Sequence, residues 1–335
     1  MIKLLNNPTF DNERNILNAD LFISNLKNTL KAFDFNIKIK YTVYRNITIY
    51  NLTWIGDNTY EDLIELKKEI ALSLGINTSE LEIKRINDNE VEITVQNMKR
   101  DILTLKELLS EYKKDSTFKV ALGLDEKDNV VYFDFDKEKS LLVTGVTGIG
   151  KTNLFNNIIM NILINYDDTK VIILDSQGIN YNVYDGIYEV VNKEEKIINR
   201  IREIRREFED RIRNGNKERV VVFIDEIYEI INYDNSIKDD INYLLEVGNM
   251  MNIHLIISTD SVIEDNIYDL FKKDNLSKLS FYLTSRGEYN SFLDEIVTES
   301  LNNDGLYLGQ DKKLIRLSVP LVMDDEIERV VSCNK

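Results

Sequence analysis

The chain has 335 residues, 43% of them hydrophobic and 30% charged, with a formal net charge of −16. That length and apolar content support two or three domains with a real core, and no stretch approaches the roughly 18 uninterrupted apolar residues that a membrane-spanning helix needs. The acidic balance excludes a protein that coats nucleic acid over its whole surface, while a local basic patch such as the lining of a ring stays open.

The start, Met1-Ile2-Lys3 and soon Asn6, Asn7, Asp11, Glu13 and Arg14, lacks the apolar run of a secretory signal. Cys333, the single cysteine, can form no internal disulfide, so a reducing cytoplasm is expected. In chain order, residues 36–44 and 47–54 are β-rich runs separated by Arg45-Asn46. Leu63, Ile64, Leu66, Ile70, Leu72 and Leu74 fall on helical spacings, predicting a helix over 60–74 that stops at Gly75. Short strands are expected over 81–85 and 91–95 around the turn Asn87-Asp88-Asn89, and a connecting helix over 102–112. Residues 1–116 thus read as a small α/β domain. Residues 117–335 alternate strands and helices, as a mainly parallel sheet with crossover helices does. Strands are expected over 140–144, 171–175, 220–225, 254–259 and 279–283, and helices near 152–164, 194–213, 237–250 and 263–271.

The strand ending at Thr144 runs directly into Gly145-Val146-Thr147-Gly148-Ile149-Gly150-Lys151-Thr152, with Asn153 following. This is G-x-x-x-x-G-K-T between a strand and a helix, the pattern of a phosphate-binding loop. Its glycines let successive backbone N–H groups turn toward phosphate oxygens, and the helix adds its N-terminal dipole. Lys151 is expected to reach the β- and γ-phosphates of ATP, and the Thr152 hydroxyl to ligate Mg2+. About 70 residues on, five apolar residues end in Asp225-Glu226. Asp225 is expected in the Mg2+ shell and Glu226 as the general base that polarises the attacking water.

With these motifs in place, the chain resembles the motor region of FtsK/SpoIIIE DNA translocases, within the HerA–FtsK group of ATPases. The likeness runs through Ala121-Leu122-Gly123-Leu124, the glycine-rich loop, Asp175-Ser176-Gln177-Gly178 with Tyr184, Arg202-Glu203-Ile204-Arg205-Arg206 and Asp225-Glu226. It continues through Ile253-His254-Leu255, Asp304-Gly305-Leu306-Tyr307-Leu308 and the closing stretch from Met323 to Val330. The first third, including Leu105-Lys106-Glu107-Leu108-Leu109, resembles the family's small α-type subdomain. The resemblance implies a RecA-like core in a hexameric ring around double-stranded DNA. No membrane anchor is visible, and the chain stops where a DNA-reading winged helix would begin, so a bare motor or a motor-derived protein is expected. Asn249 stands where the family has an arginine acting across the subunit interface, and Asp260 where it has glutamine. Lys278 and Asn290 replace two further arginines, with Arg286 or Arg219 as substitutes. A missing arginine finger removes about 10³- to 10⁵-fold of hydrolysis rate.

Other features read more simply. The arginine-rich segment 194–213 is expected to be a solvated face laced by i,i+4 pairs, with a subunit-interface or DNA-facing stripe as the alternative. His254, the only histidine, is expected as a packed residue because no metal-binding partner exists for it. Tyr41, Tyr44 and Tyr50 are expected as cross-strand core residues. The function expected is an ATP-driven double-stranded DNA translocase of a plasmid, conjugative element or phage. The alternatives are a slowly hydrolysing nucleotide-binding assembly protein and a secretion-type ATPase.

Overall fold

The computed structural model describes residues 1–7, 13–97, 101–112, 115–262, 267, 269–270, 276–293 and 304–335, apart from the side chains of residues 13, 14, 79 and 286. Two compact units emerge, Thr9–Ile102 with Glu126–Asn129, and Met1–Pro8 with Leu103–Asp125 and Val130–Lys335. The division falls at 102/103 rather than 116/117. The reason is the short helix Leu105–Ser110: its Leu105 and Leu109 pack with Phe118, Val120 and Leu122, and its Leu108 with Ala121 and Leu124, all of the larger unit.

The smaller unit opens with α1 (Glu13–Lys31), which buries Ala19, Phe22, Leu26 and Leu30. It packs with a four-stranded antiparallel sheet in the order β1 (Asn36–Val43), β2 (Ile47–Ile55), β4 (Glu90–Gln96), β3 (Leu81–Asn87). In β4 Val91, Ile93 and Val95 alternate inward, the pattern of a sheet covered on one face. Tyr41 and Tyr50 are register partners with ring centroids 6.2 Å apart. The helical stretch divides at Leu66 into α2 (Tyr60–Glu65) and α3 (Lys67–Leu74); Leu72 is exposed, and Gly75 closes α3 in the left-handed conformation.

The larger unit is built on a ten-stranded sheet. Six strands run parallel, in the order β12 (Ser277–Ser280), β7 (Leu141–Thr144), β11 (Ile253–Thr259), β10 (Val220–Asp225), β8 (Lys170–Asp175), β9 (Glu189–Asn192). Beyond β12 the sheet continues antiparallel through β13 (Gly305–Leu308), β14 (Leu314–Ser318), β5 (Lys119–Asp125) and β6 (Val130–Asp134). The apolar strands serve two cores at once. Val171, Ile173, Val221 and Phe223 face a core shared with α5 (Lys151–Asn165) and α10 (Asp324–Ser332). Their neighbours Ile172, Leu174, Val222 and Ile224 face one shared with α6 (Glu194–Asn214), α7 (Ile227–Tyr233), α8 (Ile237–Val247) and α9 (Arg286–Leu293). The period of two divides an unbroken apolar run between two faces.

Three expected boundaries move. The strand expected over 279–283 is Ser277–Ser280; beyond it Phe281 N–H still donates to Thr144 O at the end of β7, and Tyr282 O turns to Val146 N–H of the following loop. The helix expected over 237–250 ends at Val247 and continues as the 3-10 turn Gly248–Met251. That expected over 102–112 shortens to Leu105–Ser110. The helix expected over 263–271 lies mostly outside the described residues.

Candidate functional site

The glycine-rich loop is held open from below. Val146 N–H donates to Tyr282 O at 3.1 Å, and Phe281 N–H to Thr144 O at 2.8 Å. Gly145 passes so close to this support that a Cβ there would lie 2.7 Å from Ile149 and 2.8 Å from Phe281, at a φ of +155°. Gly148 and Gly150 also take positive φ, and α5 begins at Lys151. Asn153 spends its side chain elsewhere: Nδ2 donates to Pro320 O at 2.7 Å and Oδ1 accepts Val322 N–H at 2.9 Å.

Lys151, buried like the core around it, donates to Gly145 O at 2.7 Å and pairs with Glu226 Oε1 at 3.0 Å. Glu226 reaches it from an unusual backbone, φ 52°, at the junction of β10 and α7. A non-glycine residue there costs about 1–3 kcal/mol. Two hydrogen bonds hold the junction: Glu226 N–H donates to Ser258 Oγ at 3.0 Å, and Glu226 Oε2 accepts Asp260 N–H at 3.0 Å. Burial raises the Glu226 carboxyl above the ordinary range, opposed by the Lys151 ammonium.

Asp225 is buried beside it. Its Oδ1 accepts the Ser258 hydroxyl at 2.5 Å and its Oδ2 the Tyr181 hydroxyl at 3.2 Å. Burial raises this carboxyl too, against the bonds from Ser258 and Tyr181. Ser258 belongs to β11, the strand between β7 and β10, so one hydroxyl ties both acids to the strand beside the loop. Asp175, fully buried, is the register partner of Asp225 across β8 and β10; its Oδ1 has no hydrogen-bond partner. Two adjacent buried carboxylates, one with an unpartnered oxygen, fit a cation in their neighbourhood. Among the described residues no three His, Cys, Asp or Glu side chains form a metal cage. That suits Mg2+, which is held by one or two protein groups plus waters and phosphate oxygens. Thr152 and Asp225 are the residues that would hold it.

The structure thus brings Lys151, Asp225, Glu226 and Asp260 to one end of the parallel strands. Thr147 Oγ1 donates to Asp260 Oδ2 at 3.5 Å, which places this carboxylate against the loop. Other expected residues lie elsewhere. Asn249 sits in the turn preceding β11, and Arg219 precedes β10, both at the opposite end of the sheet from Asp225. Arg219 stacks over Phe118 at 4.9 Å and bonds Asp168 at 3.4 Å. Lys278 is buried in β12, its ammonium 5.6 Å from the Phe292 ring centroid, and Asn290 is exposed on α9. Arg286 opens α9, but its side chain lies outside the described part. His254 is packed, with Nδ1 3.0 Å from Lys139 O and its ring 5.1 Å from Phe135; burial lowers its pKa.

The arginine-rich helix α6 carries local pairs on its exposed face, Arg205 with Glu209 at 3.8 Å and Arg213 with Asp210 at 3.4 Å, but several of its arginines also reach other elements of their own fold. Arg200, nearly buried, bonds Glu189 at 2.5 Å and Glu207 at 2.8 Å; Arg202 bonds Asp234 at 2.9 Å and Arg205 bonds Asp240 at 2.5 Å. Arg211 donates to the carbonyls of Glu218 and Met251 at 2.6 and 3.2 Å. Sequence reasoning missed Ser258 and Tyr181. The available signal was that parallel strands present site residues at their carboxyl ends, where both Ser258 and the crossover holding Tyr181 lie.

A model of the FtsK/SpoIIIE family matches residues 104–298. The DNA translocase FtsK of Staphylococcus aureus is 26% identical over 346 residues, 92% of this chain and 44% of that protein. The DNA translocase FtsK of Halalkalibacterium halodurans is 26% identical over 372 residues, 99% and 47% respectively. The chain therefore spans less than half the length of these relatives. Among solved structures, the pCW3 conjugation coupling protein TcpA with ATPγS superposes with a TM-score of 0.59 at 14% identity, covering 95% of this chain and 99% of that one. The cytoplasmic domain of the Type VII secretion ATPase EccC of Thermomonospora curvata gives 0.56 at 17% identity, covering 69% and 34%. These likenesses establish a RecA-like P-loop ATPase fold. Among the described residues no helix is long and apolar enough to cross a membrane.

Proposed function

The chain belongs to the FtsK/SpoIIIE family, and we propose that it is an ATP-hydrolysing motor that moves along double-stranded DNA as a hexameric ring in the cytoplasm. The observation that carries the reading is the convergence of Lys151, Asp225 and Glu226 on the mouth of the loop Gly145–Thr152. The plasmid, conjugative-element or phage setting is supported by the full-length likeness to TcpA, itself a conjugation coupling protein.

In this reading the resting site is charge-compensated: Glu226 occupies the ammonium of Lys151. Phosphates carry more negative charge than one carboxylate, so an arriving triphosphate draws Lys151 away. Glu226 keeps the Asp260 N–H as its support and its freed oxygen can accept a proton from water. Asp225 and Thr152 would hold Mg2+, which would supply charge neutralisation on the phosphates. Ser258, bonded to both acids, keeps their spacing fixed.

Asp260 favours slow basal turnover, the mark of a nucleotide-binding assembly protein, because its carboxylate stands against Thr147 where the family has a neutral amide. Hydrolysis measured with linear double-stranded DNA, single-stranded DNA and no polymer decides. Stimulation by duplex alone, weakening steeply as salt rises, is expected, because a strongly acidic chain binds a polyanion only where subunits converge local cations. Equal rates in all three conditions would exclude the DNA motor.

A further inference from the structure

Tyr181 stands in the crossover after β8, with its ring fully buried 6.3 Å from that of Phe155 on α5. Its hydroxyl donates to Asp225 Oδ2 at 3.2 Å. An acid shapes the loop that delivers it. Asp175 Oδ2 accepts the N–H of Asn180 at 2.9 Å, closing the chain on itself one residue before Tyr181.

We infer that Tyr181 is a positioning residue for the divalent cation that accompanies the nucleotide, fixing the Asp225 carboxylate through its hydroxyl. A carboxylate that holds a cation keeps its orientation through the hydrogen bonds made to its oxygens, and the Tyr181 hydroxyl supplies one of them. Phenylalanine could fill the same space without donating that bond. Asp225, tied by Ser258 on one oxygen and Tyr181 on the other, cannot rotate away.

The inference rests on the nucleotide-site reading, and the experiment separates the two. The full chain and Tyr181→Phe are titrated with a fluorescent ATP analogue in EDTA, then with MgCl2 at fixed nucleotide. Equal affinity in EDTA, an unchanged melting temperature without nucleotide, and a Mg2+ midpoint raised about tenfold are expected, the low end for partners that orient a metal ligand. A midpoint within about twofold of the parent overturns the inference. A variant that melts far below the parent also overturns it, because Tyr181 would then be core alone. A parent that binds the analogue without any response to Mg2+ removes the magnesium role; a parent that binds no analogue removes the site reading as well.

Discussion

Glu226→Gln changes one oxygen to an amide at the centre of the resting site. In the parent that carboxylate accepts from Lys151 at 3.0 Å and from Asp260 N–H at 3.0 Å. The gross attraction of such a pair is about 5 kcal/mol at an effective dielectric of ~20. Desolvation of two buried charges cancels most of it. A glutamine can satisfy only one of the two donors, and its own NH2 then faces the other. The resting hold on Lys151 therefore weakens by a net of about 1 kcal/mol, which predicts unchanged or up to about fivefold tighter nucleotide binding. Hydrolysis loses its proton acceptor and falls by about 10²- to 10⁴-fold. Phosphate release at saturating ATP and equilibrium binding of a labelled analogue measure the two quantities separately. A variant that hydrolyses within about threefold of the parent, or loses affinity in step with rate, would refute this reasoning.

Lys151→Ala should abolish measurable ATP-analogue binding while leaving the melting temperature within a few degrees; parental affinity would place the phosphates elsewhere. Asp260→Asn removes the charge against Thr147 but keeps the backbone N–H to Glu226, so basal hydrolysis should rise several-fold, read by phosphate release; an unchanged rate would clear Asp260 of any inhibitory part. Glu138 is buried, with its carboxyl raised above the ordinary 4.5 by burial against bonds from Ser277 and Tyr307. A raised acid contributes stability that is fully present below its unfolded value and is lost as pH rises through its folded one. Glu138→Gln should therefore flatten the fall in melting temperature as pH climbs from 4.5 toward neutrality, and a parental slope would contradict this.

What the sequence disclosed followed from period and punctuation. Strands β8 and β10 were legible because each covers two cores, so apolar residues run unbroken over 171–174 and 220–224 before Asp175 and Asp225, whereas the half-buried β9 was not read. The loop after β7 was legible because its glycines and Lys151 are fixed by the geometry of phosphate binding. Helix α1 was passed over although Ala19, Phe22, Leu26 and Leu30 keep a helical spacing, because Asn15, Asn18, Asn25 and Asn28 dilute its propensity. The antiparallel extension was not read. Asn157 and Asn161 of α5 satisfy backbone groups of Ala121 and Leu122 that a neighbouring strand would otherwise take, a pairing no local pattern announces. Tyr181 was hidden for a similar reason: its place depends on Asp175 folding back onto Asn180.

Helix α6 bears on where a polyanion could be gripped. Arg200, Arg202, Arg205 and Arg211 are already quenched by carboxylates and carbonyls of the same subunit, as the iron in a magnet keeper closes flux within itself. Seen from solvent, those four guanidinium groups project little positive potential, since each arrives with its own anion or dipole attached. A phosphate backbone approaching them would have to break about 1.5–3 kcal/mol of charged hydrogen bonding for every arginine it recruited. For the proposed DNA motor, the side chains that grip the duplex are therefore to be sought beyond these four, and changing Arg200, Arg202, Arg205 or Arg211 to alanine should melt the subunit before it loosens any hold on a duplex.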